Sequence, residues 1–253
     1  MQGSKYSSGQ GKLYVLGLGP GAKKHRTLLA EEILRQSQVI VGYEKYLSLV
    51  QDHFAGKEII GSGMRQEVWR VEKALQKALE GKRVTLVSSG DPGIYGMAGL
   101  VFEVMQQKDL SLAVEVVPGV SAGQYLAAQV GAPLMLDFAC LSLSDILVPW
   151  EEIEKRLKAL AQIDLVVVLY NPKSKKRFWQ LKQALQIFKQ YRSEQTWIAV
   201  GKNLSLNEEQ IFLTTLADLD LEKVDMRTTL IVGNKDTKLL SDWLVTLRGY
   251  FKN

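Results

Sequence analysis

Short apolar runs alternate along this chain with longer stretches whose apolar residues recur every three or four positions. "KLYVLGLGPG" reads as a buried strand running into a turn at Gly17, Gly19, Pro20 and Gly21, because a short apolar run closed by Gly and Pro fits a strand covered on both faces. Behind it, Leu29, Ile33 and Leu34 of "TLLAEEILRQS" share one helical face, with Thr27 placed to cap the first turn. "VIVG" at 39–42 is a second short strand. "RQEVWRVEKALQKALEG" predicts a helix that buries Val68, Val71, Leu75 and Leu79 and stops at Gly81. The strand "RVTLVS", a helix around "LVFEVM" and the strand "AVEVVPG" complete the first half. Strands and helices in alternation need crossover connections, hence a mainly parallel sheet.

The second half keeps the alphabet and changes the rhythm. "SAGQYLAAQVG" predicts a helix, "FACLSLS" a strand, "PWEEIEKRLKALAQ" a helix opened by Pro149, and "DLVVVLYNP" a strongly apolar strand. After the helix "RFWQLKQALQIFKQY" come three β-rich runs, "TWIAVGKN", "QIFLTTL" and "TTLIVGN", joined by loops too short for long helices. Mixed or antiparallel pairing is expected there. The expected fold class is α/β, with a tail at 1–11, an N-terminal domain at 12–119 and a C-terminal domain at 120–253, hinged near "VVPGVSAG".

Composition narrows the chemistry. The 253 residues are 46% hydrophobic and 23% charged, enough to bury a core in one large or two modest domains. No apolar run approaches a membrane span and "MQGSKYSSGQGK" lacks a signal peptide's apolar segment, so a cytoplasmic protein is expected. A single cysteine, Cys140, and two distant histidines, His25 and His53, supply neither a disulfide framework nor metal-ligand spacing. The net charge of +5 favours an acidic partner, but it is spread along the chain with short clusters such as "KSKKR". RNA binding would call for concentrated basic patches interleaved with exposed aromatics, whereas the aromatics here sit within amphipathic patterns.

Four strand ends carry loops of small residues: "GLGPGA", "SSGDPGIYG", "VPGVSAG" and "LYNPKS". One such loop is an ordinary turn; four at successive strand ends form a rim whose main-chain groups can converge on a ligand. The first loop completes neither nucleotide fingerprint. Its third glycine in the G-x-G-x-x-G frame falls at Ala22, no Lys-Ser/Thr pair follows, and Pro20 removes an N–H.

"YVLGLGPG", "SSGDPGIYGMAG", "VVPGVSA" with the following "GAPL", "VVVLYNP" and "TTLIVGN" stand in an order and spacing that resembles the tetrapyrrole methylases, the class III S-adenosylmethionine-dependent methyltransferases. The likeness runs from about Lys12 to about Lys238. "VGYEKYL", "GMRQEVWRVEKAL" and the stretch from "DFACLSLSDILVPW" to "VVVLYNPKSKKR" resemble the branch acting at carbon 17 of precorrin-3B or cobalt-factor III, rather than at carbon 11 or carbon 20.

The resemblance implies a homodimer of two-domain α/β subunits that holds S-adenosylmethionine in the cleft between domains and releases S-adenosylhomocysteine, with no protein-bound metal and any cobalt carried by the substrate. Neither a nucleic acid nor a membrane is implied as partner. By motif it assigns cofactor contacts to Pro20; to Ser89, Gly90, Asp91 and Ile94; to Ser121 and Ala122; to Tyr170 and Asn171; and to Leu204 and Thr229. The glycines would then admit the cofactor and one face of the macrocycle. The substrate's acetates and propionates make Arg65, Lys173, Lys175, Lys176 and Arg177 candidate carboxylate partners, against surface charge as the alternative.

Methyl transfer from a sulfonium asks mainly for proximity and orientation. The carbon-17 branch also contracts the macrocycle, which needs proton transfers. Asp91 is the first candidate, with a turn-capping role as its equal alternative. Tyr95 and Ser88 are candidate hydrogen-bond donors to a ring substituent, and His25, just beyond the first loop, is a candidate to approach the substrate or its cobalt, with a surface histidine at a helix start as the favoured alternative. The one departure is "GKNLSLNEEQ": Ser205 stands where relatives usually have glycine and Leu206 where they have arginine, while Glu209 keeps the acidic position. A single cysteine and the lack of a redox-cluster motif favour a cobalt-containing substrate. A methylase for another ring position or for a protein or ribosomal RNA target, and a non-catalytic nucleotide-binding module, are the alternatives.

Overall fold

The structure, a computed structural model, describes residues 11–174 and 177–251. The chain divides into two compact units, Met1–Ser121 and Ala122–Asn253.

The first unit contains β1 (Lys12–Gly17), α1 (Leu28–Gln36), β2 (Val39–Tyr43), α2 (Glu44–Leu47), β3 (Glu58–Ser62), α3 (Glu67–Leu79), β4 (Arg83–Ser88), α4 (Ala98–Gln107) and β5 (Ala113–Val117). Its five strands form one sheet in the order β3-β2-β4-β1-β5, every pairing parallel. The period-2 alternation of a strand sorts the core: Leu13, Val15, Val84 and Leu86 face α3 and α4, while Leu16, Ile40 and Val87 face α1. Each fully buried side chain of this kind stabilises the fold by roughly 1.5–3 kcal/mol. Connections from β1 and β4 leave in opposite directions across opposite faces. Such a reversal at the carboxyl ends of adjacent strands is where open α/β sheets bind ligands.

The second unit contains α5 (Ala122–Val130), β6 (Gly131–Ala132), β7 (Phe138–Ser142), α6 (Trp150–Gln162), β8 (Val166–Tyr170), α7 (Trp179–Tyr191), β9 (Trp197–Lys202), β10 (Gln210–Thr215), β11 (Thr228–Val232), β12 (Thr237–Leu240) and β13 (Trp243–Thr246). Its main sheet runs β10-β9-β11-β8-β7, parallel only between β7 and β8 and antiparallel elsewhere. The helices α6 and α7 pack on one face; α5 lies against β9, β10 and β11. The parallel first sheet and mixed second sheet agree with expectation.

Two readings of the pattern need correction. On α3, Val68 and Leu79 are 53% and 51% exposed, and the buried stripe is instead Arg70, Val71, Ala74, Leu75 and Ala78. The edge strand β3 and the small sheet β12-β13-β6 were not anticipated. The capping prediction at Thr27 is met, its Oγ1 accepting from the Ala30 N–H at 3.1 Å.

Candidate functional site

In the first unit the loops after β1, β4 and β5 emerge side by side, since Gly17 lies level with Ser88. Gly19 and Gly90 exchange two main-chain hydrogen bonds, of 3.2 and 2.8 Å, and the Ser88 carbonyl accepts from Leu18 at 2.8 Å. A Cβ on Gly119 would sit 2.2 Å from the Gly90 oxygen, and one on Gly17 2.6 Å from the same atom. These glycines therefore let three strand ends pack main chain against main chain. That is a different reason for their presence from the ligand access expected of them.

Asp91 joins the same knot. Its Oδ1 accepts from the Gly93 N–H at 2.8 Å and its Oδ2 from the Gly119 N–H at 3.1 Å, so the carboxylate both caps its own turn and clamps the next loop. Pro20 and Ser121 are buried, and Ser88 is 3% exposed. Ser89 is half-buried. Ile94 and Tyr95 stand out at 36% and 54% exposed, Tyr95 with a left-handed φ of 53°. The His25 carbonyl lies where a Cβ on Gly19 would meet it, at 2.7 Å.

The second unit gathers its own set at one end of its main sheet. Thr229 pairs with Gly201, and Leu230 with Leu169, which brings Tyr170 to the same row. The Gly123 N–H donates to the Tyr170 hydroxyl at 3.1 Å. A Cβ on Gly123 would lie 2.8 Å from that oxygen, and one on Gly201 would lie 2.6 Å from Leu204 Cδ2. Asn171, at φ 52°, donates its amide to Ser142 Oγ at 3.0 Å. Ala122, Tyr170, Asn171, Leu204 and Thr229 thus share one end of this unit.

The loop beyond β9 has three left-handed residues, Asn203, Ser205 and Glu208, at φ 51°, 58° and 62°. Glu209 ties it down: one carboxylate oxygen accepts from the Ser205 N–H and the other from the Tyr125 hydroxyl at 3.4 Å. Burial first, and then the Glu209 carboxylate, push the Tyr125 phenol above its ordinary value.

The candidate substrate cations fare unevenly. Arg177 Nη1 donates to the Leu143 carbonyl at 3.2 Å and the Asn171 carbonyl at 3.1 Å, bracing the turn after β8. Burial lowers its pKa, opposed by Asp145. Lys173 Nζ is held by the Leu221 carbonyl at 2.8 Å and Glu222 at 3.1 Å. Arg65 is exposed. Lys175 and Lys176 lie outside the described residues. Glu31, Asp52 and His53 bring ligand-type atoms within 4.8 Å of one another, but Arg26 and Lys23 already pair with those carboxylates.

Sequence reasoning missed Arg70. It is 3% exposed, with Nε donating to Ser62 Oγ at 2.8 Å and Nη2 to the Gly63 carbonyl at 2.9 Å. The available signal was an arginine one residue before Val71 on the core stripe of a confidently amphipathic helix.

The family model for tetrapyrrole (corrin/porphyrin) methylases matches residues 12–220. The chain is 42% identical over 238 residues to a probable cobalt-factor III C(17)-methyltransferase of Salmonella typhimurium, covering 94% of this chain and 99% of that protein. It is 43% identical to a cobalt-factor III methyltransferase of Priestia megaterium over 95% of this chain, yet spans only 45% of that longer relative. Among solved structures, that of the methyltransferase CobJ superposes with a TM-score of 0.90 at 35% identity, over 94% of this chain and 100% of that one. A Thermus thermophilus uroporphyrin-III C-methyltransferase complexed with S-adenosyl homocysteine shares the fold at a TM-score of 0.67 and 24% identity, over 88% of this chain and 97% of that one.

Proposed function

The chain belongs to the tetrapyrrole methylases, and from that premise we propose that it transfers a methyl group from S-adenosylmethionine to carbon 17 of a cobalt-factor III or precorrin-3B type tetrapyrrole. The transfer is coupled to ring contraction in cobalamin biosynthesis. The observation that carries this reading is the end-to-end match with the Salmonella protein, whose name specifies that substrate and position.

The residues present suit the cofactor. S-adenosylmethionine needs acceptors for its amino group and ribose, donors for its carboxylate and an apolar surface for adenine. In the first unit the Ser121 hydroxyl and the exposed, apolar Ile94, and in the second the hydroxyls of Tyr170 and Thr229 with the apolar Leu204, are groups of those kinds. When bound, the sulfonium supplies an already activated methyl group. The protein's part is to hold the ring carbon in line with it, which is worth much of the barrier through orientation alone.

Of the candidate catalytic residues, Asp91 has both oxygens engaged by main-chain donors and Ser88 is buried. Tyr95, half-exposed in the same loop, is the group best suited to exchange a proton with a ring substituent. The cleft between domains, the homodimer and a cytoplasmic location belong to the same proposal. Among the described residues no helix is long and apolar enough to cross a membrane, and Leu240 and Trp243 at 46% and 57% exposed offer apolar surface for a second subunit.

The test is anaerobic incubation with cobalt-factor III and S-adenosylmethionine, read by mass and absorbance spectra of the pigment. A gain of one methyl group with the spectral change of a contracted ring is expected. Methylation without contraction would leave a methylase of another ring position, and conversion of the metal-free ring alone would fix precorrin-3B as substrate.

A further inference from the structure

The carboxyl ends of β2 and β3 meet at one guanidinium. Arg70, on α3, reaches Ser62 and Gly63 at the end of β3, and its Cζ lies 5.8 Å from the ring of Tyr43 at the end of β2. Tyr43 meets Tyr46 edge to face at 5.2 Å, and β2 pairs with β4, whose carboxyl end carries the candidate cofactor loop. The group is therefore anchored on the rim from which the candidate cofactor loop emerges.

Its charge is not compensated. Among the described residues, the other two arginines buried to this degree each have a carboxylate, Arg26 with Glu31 at 2.7 Å and Arg192 with Asp164 at 3.5 Å. Arg70 has none in ion-pair range, and Glu67 acts on it only through space. Burial accordingly draws its pKa below the usual arginine value. The acceptor for Nη1 is the Met97 thioether at 3.8 Å, a weak partner. Nη1 and Nη2 each carry two N–H groups, so both retain donors beyond the bonds they make. A buried cation is costly unless an anion or a full set of acceptors offsets it, and neither is supplied by the protein.

We propose that Arg70 receives one carboxylate of the tetrapyrrole substrate through its terminal nitrogens, the anion taking the place of the Met97 sulfur, while Ser62, Gly63 and Tyr43 fix the plane of the guanidinium. A planar fork presenting two parallel N–H groups suits a carboxylate better than any other common anion on such a pigment. This rests on the substrate class proposed above. It assigns to Arg70 the part expected of Arg177, whose Nη1 is spent on main-chain carbonyls.

The test is equilibrium binding of cobalt-factor III to the full chain in the presence of S-adenosylhomocysteine, for wild type, Arg70→Met and Arg70→Lys, with S-adenosylhomocysteine affinity measured alongside. Loss of a charge-assisted carboxylate contact is expected to weaken pigment binding about tenfold to a hundredfold in Arg70→Met, with cofactor-product affinity unchanged and partial recovery in Arg70→Lys. Equal pigment affinity in wild type and Arg70→Met overturns the proposal. So does an equal loss of S-adenosylhomocysteine affinity, which would make Arg70 a brace for the loop. Should Arg70→Met fail to fold, Arg70→Lys decides on the same two affinities, because an ammonium does not reproduce the fork. A wild-type protein that binds the pigment but transfers no methyl group would sink the functional reading while leaving the Arg70 comparison intact.

Discussion

Asp91 and Gly119, 28 residues apart in sequence, are joined by a hydrogen bond of 3.1 Å from the Gly119 N–H to Asp91 Oδ2. With the Gly93 N–H on Oδ1 at 2.8 Å, the carboxylate is a clamp between the loops after β4 and β5. Asp91→Ala removes two acceptors at once and is expected to destabilise the fold by about 1–3 kcal/mol and to weaken S-adenosylhomocysteine binding. Asp91→Asn, which keeps one oxygen, should fall between. Thermal melting and calorimetric titration check this. A variant with native stability and native affinity but no turnover would instead make Asp91 a proton carrier.

The glycines of the same knot separate steric need from simple loop composition. A Cβ on Gly119 meets the Gly90 oxygen at 2.2 Å, whereas one on Gly99, in the first turn of α4, has nothing within 4 Å. Gly119→Ala is expected to cost about 1–3 kcal/mol or more by forcing packed main chain apart. Gly99→Ala should stabilise the protein by about 0.4–1 kcal/mol through the unfolded chain. Urea denaturation of both variants gives the comparison, and equal midpoints would mean that the three loops are not packed as described.

Most of this architecture is legible in the sequence because its signals are local. β1, β4, β8 and β11 are short, predominantly apolar segments, and Thr27 announces the start of α1. The strands that escape notice depend on distant partners. β3 carries only Ile59 and Ile60 as large apolar residues at a sheet edge, and β13 is fixed by Thr246, whose hydroxyl donates to the Pro133 carbonyl at 2.6 Å, 113 residues away in sequence. The site divides in the same way. Glycine-rich loops mark the rim, but whether a glycine faces a ligand or another loop depends on packing that no local pattern encodes. Arg70 escaped because a charged residue on a helix is ordinarily assigned to the solvent face.

Tyr46 should make the stability of the protein fall in alkali. Burial first, then the neighbouring Tyr43, raise its pKa above the ordinary value of 10.0, partly opposed by Arg70. The folded state then keeps the phenolic proton at a pH where the unfolded chain has lost it. This contribution is full below pH 10 and disappears as pH rises through the folded value. Tyr125 shifts in the same direction, so Tyr46→Phe is expected to flatten the decline without abolishing it. Urea midpoints between about pH 8 and 11 would expose the difference, and parallel curves for the two proteins would refute it.

Ser205 stands at a left-handed position that glycine would hold without strain, which gives this serine an energetic meaning. Its φ of 58° lies in the region where an L-residue is strained by about 1–2 kcal/mol. The main-chain N–H accepted by Glu209 helps hold it there, and Glu209 in turn is met by Tyr125 at 3.4 Å. Ser205→Gly is expected to relieve the strain, offset in part by the greater freedom of glycine in the unfolded chain, for a net gain of about 0.5–1 kcal/mol. Glu209→Ala should act oppositely, leaving the Ser205 N–H without its carboxylate and releasing Leu204 from its seat against Gly201. If this loop forms part of the cofactor site, Glu209→Ala will also raise the S-adenosylhomocysteine dissociation constant while Ser205→Gly leaves it unchanged. Denaturation and calorimetry on the two single variants and their double would measure the coupling. Strictly additive effects would show that Ser205 and Glu209 do not act through the shared hydrogen bond.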